Sequence, residues 1–309
     1  MMLTHRILSI LIVLGYAVPL FAQIKKAPKP ILYFNHSNAG TSFQKVLTKA
    51  GDRNAPYFTE RNIDSNRDGK PDLAFFTKEV NRLVPNMKFS GILTLDWEGK
   101  GYDFLKNDTN IRPKEFDAAL QPFIQLIKHA KKLRPQAKWG FWDMPSSIYW
   151  VTVNKQWTRR INALDALLKE CDVLLPSLYD YYPSTEGHGQ RTDPIYLETI
   201  LRTSLEKGVK LKKPVVPYIW HRYHDVMPDW GNKSIDPMEF EETIQAMLNI
   251  QYKGQKISGV VWWHEDKYLL NIQSPLVKKE QQGASDSEYM DNTMWTYYNI
   301  LKQYFTVPL

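Results

Sequence analysis

The chain has 309 residues, 43% of them hydrophobic, which suits one large domain or two small ones with an ample core. Its formal net charge of +7 favours polyanionic partners at long range without choosing among them, and no nucleic-acid motif accompanies it. A single cysteine, Cys171, excludes an internal disulfide, so stability must come from the core.

The opening residues read as a secretory signal: a basic start (His5, Arg6), an apolar run over residues 7–21, and Ala22 as a last residue before cleavage. The run is short for a membrane span and contains Gly15 and Pro19. Residues 1–22 are therefore expected to be removed, and 23–309 to form a single exported domain in a bacterial periplasm or beyond. No cysteine follows closely enough for a lipid anchor, and no later stretch is apolar enough to insert stably in a bilayer.

Strand and helix patterns then alternate. A short β-rich run at 31–34 comes first, and an Asp/Gly-rich stretch at 64–72 precedes a helical pattern at 73–83. A run at 91–97 is followed by a helix at 116–133 that stops at Arg134-Pro135, where Lys128, Lys131, Lys132 and Arg134 read as a solvated face. A strand at 138–142 and a helix at 157–168 come next. Cys171 reads as a buried residue before a strand at 173–179. Asp before Pro marks two helix entries, Asp193-Pro194 and Asp236-Pro237, for helices at 194–207 and 237–252. Strands at 215–220 and 257–263 accompany them. Residues 278–288 read as a polar surface loop, and a closing helix spans about 291–305.

Continuous apolar strands alternating with helices predict a parallel sheet covered on both faces. Unusual residues gather at the C-terminal end of strand after strand: Asn35-His36-Ser37, Asp96-Trp97-Glu98, Trp142-Asp143, 177–180, Tyr218 with Trp220-His221, and 262–265. An open doubly wound sheet would concentrate function near one Gly-rich turn, and no GxGxxG is present. Function drawn from many strand ends is the pattern of a (β/α) barrel.

The stretch "FSGILTLDWEG", residues 89–99, ends in two acids at i and i+2, so Asp96 and Glu98 face the barrel mouth together while Trp97 points away. Two acids this close cannot both ionise freely, and a carboxyl that keeps its proton suits general-acid catalysis. A pair of solvent-facing or salt-bridged acids would leave the same trace in sequence. Ten Trp and seventeen Tyr, many of them at strand ends, supply flat apolar faces with polar edges, the makings of a carbohydrate cleft.

At these residues the chain resembles a known family. "KFSGILTLDWEG" looks like the active-site strand of the animal and venom hyaluronidases, glycoside hydrolase family 56. "AKWGFWDMP", "DVLLPSLY", "VVPYIWHRYHD" and "GVVWWHE" resemble four further family strands in the same order, all between residues 88 and 265. The resemblance implies a (β/α) barrel of the incomplete or distorted seven- to eight-stranded type, acting on a polysaccharide of anionic character such as hyaluronan or chondroitin. It implies retaining, substrate-assisted hydrolysis of β-linked N-acetylhexosamine, with no cofactor required. By motif position Glu98 is the proton donor, Asp96 holds the acetamido N–H and Tyr179 binds the acetamido oxygen. Trp142, Asp143, Tyr218 and Trp263 fall at or beside cleft positions.

The chain departs from the family in lacking an arginine shortly after the glutamate, in placing Asp143 where glycine is usual, and in having no disulfides. Asp143 in the cleft would repel a uronate. A chitinase-like family 18 hydrolase shares the chemistry, but Gly91 and Thr94 stand where its further aspartates would be. A non-catalytic carbohydrate-binding barrel is the remaining alternative.

In "DSNRDGKPD", Asp64, Asn66, Asp68 and Asp72 occupy alternate positions of a calcium-type loop with Gly69 at its turn, which raises a structural calcium as an expectation. The twelfth position is Phe75, so it is not an EF-hand. His36, His188, His221, His224 and His264 follow no zinc pattern, and Ser90 and Ser177 lack an elbow motif.

Overall fold

The computed structural model describes residues 28–35, 39–107, 113–145, 153–184 and 193–307. The expected signal at 1–22 lies outside them, as do His36, Ser37 and His188.

In chain order the elements are β1 (Ile31–Asn35), α1 (Gln44–Ala50), β2 (Tyr57–Thr59), α2 (Glu60–Ile63), α3 (Leu73–Leu83), β3 (Ile92–Asp96), α4 (Lys100–Asn107), α5 (Pro113–Leu133), β4 (Lys138–Phe141), α6 (Lys155–Ala163), α7 (Asp165–Leu168), α8 (Asp193–Leu211), β5 (Tyr218–Trp220), α9 (Pro237–Asn249), β6 (Gly259–Trp263), α10 (Asp266–Asn271), α11 (Pro275–Gln281) and α12 (Asp286–Tyr304). The strands form two parallel ladders, β1-β6-β5 and β2-β3-β4. Isolated parallel bridges close the ring: Phe34 to Asn54 joins β1 to the approach to β2. Trp142 to Leu175, Leu174 to Val215 and Ser177 to Tyr218 insert residues 174–177 between β4 and β5. The result is a seven-staved closed barrel among the described residues.

Residues 173–179 were expected as a full strand but make only bridges. Pro176 has no N–H to donate, which interrupts the ladder; Pro214 and Pro217 likewise shorten the next stave to Tyr218–Trp220. Gly140 in β4 permits a close approach, since a Cβ there would lie 2.5 Å from the Val173 carbonyl oxygen.

Alternation along each stave sorts side chains into two cores. Ile92, Val261, Tyr33 and Tyr218 point into the barrel, while Leu93, Leu95, Phe34 and Trp262 pack outward against the helices. The helices follow from their own sequences. In α3 the Asp72 carboxylate accepts from the Phe75 N–H and caps the first turn, and Phe76 and Val80, four apart, are fully buried.

Two expectations are corrected. Arg134 is not on a solvated face: it is 1% exposed and its guanidinium donates to the Val84 carbonyl oxygen, capping the end of α3. The expected polar loop at 278–288 is instead the end of α11 and the start of α12, with Pro275 opening α11, Val277 buried beneath it and Ser285 capping α12 through the Glu288 N–H. Cys171 is buried as expected, and burial pushes its thiol up to about 12, which removes it as a nucleophile.

Candidate active site

The inward face of β3 runs Ile92, Thr94, Asp96 and on to Glu98, so the two acids stand at the mouth one above the other. Trp97 turns the other way, 4.7 Å from the Phe123 ring centroid in the helix layer. Tyr218 makes the floor. Its hydroxyl donates to Thr94 Oγ1 at 2.6 Å and accepts from Asn35 Nδ2 at 3.0 Å, tying β5 to β3 and β1 across the barrel. Above this floor lies a cavity of about 400 Å³ lined by both acids, Trp142, Tyr179, Trp263 and, opposite them, Glu265.

The aromatic wall is ordered by mutual packing. Tyr179 and Trp263 stack at 5.5 Å and 15°, and Trp220 meets Trp263 edge-on at 4.5 Å. Tyr179 also packs against Trp142, with ring centroids 6.3 Å apart. Burial raises the Tyr179 phenol well above its usual range, so it stays protonated.

Burial, the Glu98 charge and a hydrogen bond with Glu98 push Asp96 well above the carboxylate range. Glu98 is raised as well, by burial first; Lys106 pulls it back down and Asp143 pushes it up. The two carboxyls share protons as a pair. Because Asp96 is the more deeply buried, the last proton to leave sits on Asp96. Asp96 Oδ1 is buried and has no hydrogen-bond partner, an acceptor held ready at the cavity wall.

Glu98, Asp96, Tyr179, Trp142, Tyr218 and Trp263 are thus brought together as the sequence reading required. Asp143 is not. It is 2% exposed, accepts from the Tyr102 hydroxyl at 2.6 Å and pairs with Lys106 at 3.1 Å. It adopts φ 51°, a left-handed backbone position, and is not among the residues lining the cavity. The uronate repulsion expected from it is thereby reduced to the field of a carboxylate already paired with Lys106.

Sequence reading missed Tyr57 and Thr59, carried by a three-residue strand too short to show a period. It also gave no role to Glu265, which burial and its acidic neighbours Asp225 and Asp266 push up to about 7. Behind Glu265, Asp266 is fully buried and pairs with Arg222 and with His221 at 3.0 Å, anchoring the ends of β5 and β6 to each other.

The expected calcium loop does not gather its acids around one point. Asp64 Oδ1 and Oδ2 accept from the Asp68 and Gly69 N–H groups, Asp68 Oδ1 accepts from the Lys70 N–H, and Asp72 caps α3. Among the described residues no group of three or more His, Cys, Asp or Glu side chains is placed to hold a metal.

No protein-family model matches the chain. A hyaluronidase of Apis mellifera is 22% identical over an alignment of 271 positions that covers 71% of this chain and 68% of the relative. The crystal structure of bee venom hyaluronidase in a monoclinic form superposes with a TM-score of 0.50 at 17% identity, covering 71% of this chain and 77% of that one. A second structure, bee venom hyaluronidase in complex with a hyaluronic acid tetramer, gives a TM-score of 0.49 at 17% identity, over 70% and 74% of the two chains. The first of these structural likenesses shows the (β/α)-barrel fold. In sequence and in fold, this chain is hyaluronidase-like.

Proposed function

We propose that the protein is an exported retaining glycoside hydrolase that cleaves β-linked N-acetylhexosamine bonds in a polysaccharide such as hyaluronan or chondroitin, using the substrate's own acetamido group as nucleophile. The observation that carries this reading is the buried Asp96–Glu98 pair with an unpartnered Asp96 oxygen, set in an aromatic-walled cavity. Export rests on the pattern at 1–22; among the described residues no helix is long and apolar enough to cross a membrane.

An acetamido N–H reaching Asp96 Oδ1 stabilises the Asp96 carboxylate and so moves the shared proton to Glu98. Glu98 then protonates the glycosidic oxygen. The acetamido carbonyl oxygen, held by the Tyr179 O–H, attacks the anomeric carbon as the leaving alcohol departs. The positive charge of the resulting oxazolinium lies beside Asp96, whose carboxylate stabilises it in a site with little water. Water, deprotonated by Glu98, opens the ring and restores the acetamide with net retention. No metal or redox group is needed for any step.

The test is hydrolysis of matched N-acetylated and de-N-acetylated oligosaccharides. The acetylated substrate should be cut and its partner left intact. Comparable rates on both would refute the substrate-assisted mechanism, because a carboxylate nucleophile does not need the acetamide.

A further inference from the structure

We infer that Lys106 and Asp143, joined through the Tyr102 hydroxyl, form an internal charge unit behind the Trp142 wall that sets the protonation of Glu98, and that both are positioning residues for it. The catalytic meaning of this unit rests on the hydrolase reading; its electrostatic action does not.

The geometry is closed and specific. Asp143 Oδ2 accepts from the Tyr102 hydroxyl at 2.6 Å and lies 3.1 Å from Lys106 Nζ. The same ammonium donates to the Tyr102 hydroxyl at 3.1 Å, so acid, phenol and amine are mutually bonded. Asp143 Oδ1 accepts from the Ser177 N–H at 3.3 Å, which fixes the carboxylate against the next stave. The ammonium sits 5.2 Å from the Tyr102 ring centroid and 6.0 Å from that of Trp142, the residue separating it from the cavity. Side-chain exposure is 23% for Lys106 and 3% for Asp143, so neither charge is well screened by solvent.

Both charges act on Glu98 with opposite sign, Lys106 more strongly than Asp143. The other groups facing Glu98 are Asp96 on its own strand and His224 beyond β5. Arg160 of α6 lies within electrostatic reach of Asp143 and Tyr102, with its Nη1 donating to the Leu105 carbonyl oxygen at 3.0 Å. Burial holds the Glu98 proton more firmly; a nearby cation loosens it, and an anion bonded to that cation limits the loosening. The ring that the ammonium approaches, Trp142, lines the same cavity as Glu98. Asp143 also occupies a left-handed backbone position, where Asp and Asn are among the few side chains accepted readily.

The test uses the full chain and reads Glu98 directly, by ¹³C NMR titration of glutamate carboxyl carbons assigned with Glu98→Gln, alongside the pH profile of hydrolysis of an uncharged N-acetylated oligosaccharide. Asp143→Asn keeps the shape and the φ but leaves Lys106 unopposed, so the Glu98 midpoint and the alkaline limb of activity should fall. Lys106→Met should move both up, each by roughly half a pH unit or more. The double variant should return toward wild type, and Lys106→Arg, which keeps the charge, should leave the midpoint in place. Midpoints that stay fixed in folded single variants, or that move in the same direction, overturn the inference. Opposite midpoint shifts in a protein that cuts no glycan would uphold the charge unit and remove only the hydrolase reading.

Discussion

Replacing Glu265 by glutamine should stabilise the protein at alkaline pH and leave it unchanged in acid. Glu265 stands at the end of β6 with Asp225 and Asp266 as charged neighbours, and burial and repulsion carry it from 4.5 to about 7. In the unfolded chain it ionises near 4.5. The folded state therefore holds a proton that the unfolded state releases between about pH 4.5 and 7, and folding stability declines across that window as pH rises. Below it both states are protonated and there is no penalty; above it the penalty is complete. A shift of this size corresponds to about 3 kcal/mol before any allowance for solvent. The carboxylate is partly open to solvent, and discounting for that leaves about 1–2 kcal/mol. For a chain of this length this is roughly 2–6 °C in melting temperature. Melting curves of Glu265→Gln and wild type at pH 4 and pH 8, followed by circular dichroism, measure it, since the difference between the two proteins cancels the titrating groups that Glu265 does not influence. An equal difference at both pH values, or a variant less stable at pH 8, would refute the reasoning.

Two further outcomes follow from the site and the loop. Glu98→Gln should lower hydrolysis by ~10²-fold or more with glycan binding and melting temperature nearly unchanged, as measured by initial rates and calorimetry. Near-normal turnover would remove Glu98 from the chemistry. Asp64→Ala, which strips two backbone N–H groups of their acceptor, should cost about 1 kcal/mol, whereas millimolar calcium and a chelator should give superimposable melting curves of the wild-type protein; a calcium-dependent rise would restore the metal to that loop.

The strands were legible where apolar runs were continuous, because a stave covered on both faces has no polar positions to break the run. The acids at 96 and 98 were legible for the opposite reason, as charge where an apolar stave ends. What the sequence hid was conformational or non-local. Asp143 is claimed by partners distant in sequence, Tyr102 and Lys106, which its place beside Trp142 did not announce. Arg134 looked like one more lysine-rich surface position until α3 arrived with carbonyls to be capped. Helix α11 is polar around nearly its whole circumference and buries only Val277, so no amphipathic period announced it. The three-residue β2 owes its conformation to pairing with β3, not to its own propensity.

The ring of staves is unevenly welded. One half-shell, β2-β3-β4, carries Asp96 and Glu98; the other, running from 174–177 through β5 and β6 to β1, carries Tyr179, Trp263 and Glu265. At one seam between them the Ala55 N–H bonds to the Phe34 carbonyl oxygen, and at the other the Leu175 N–H bonds to that of Met144. The proposed acid and the surface that would grip its sugar therefore belong to different shells. Their alignment depends on struts through the middle as much as on the hoop outside, and the Tyr218 hydroxyl, bonded to Thr94 on one side and Asn35 on the other, is such a strut. A single phenolic oxygen under the floor thus calibrates the gap in which a polymer would be cut, without itself facing the bond that breaks.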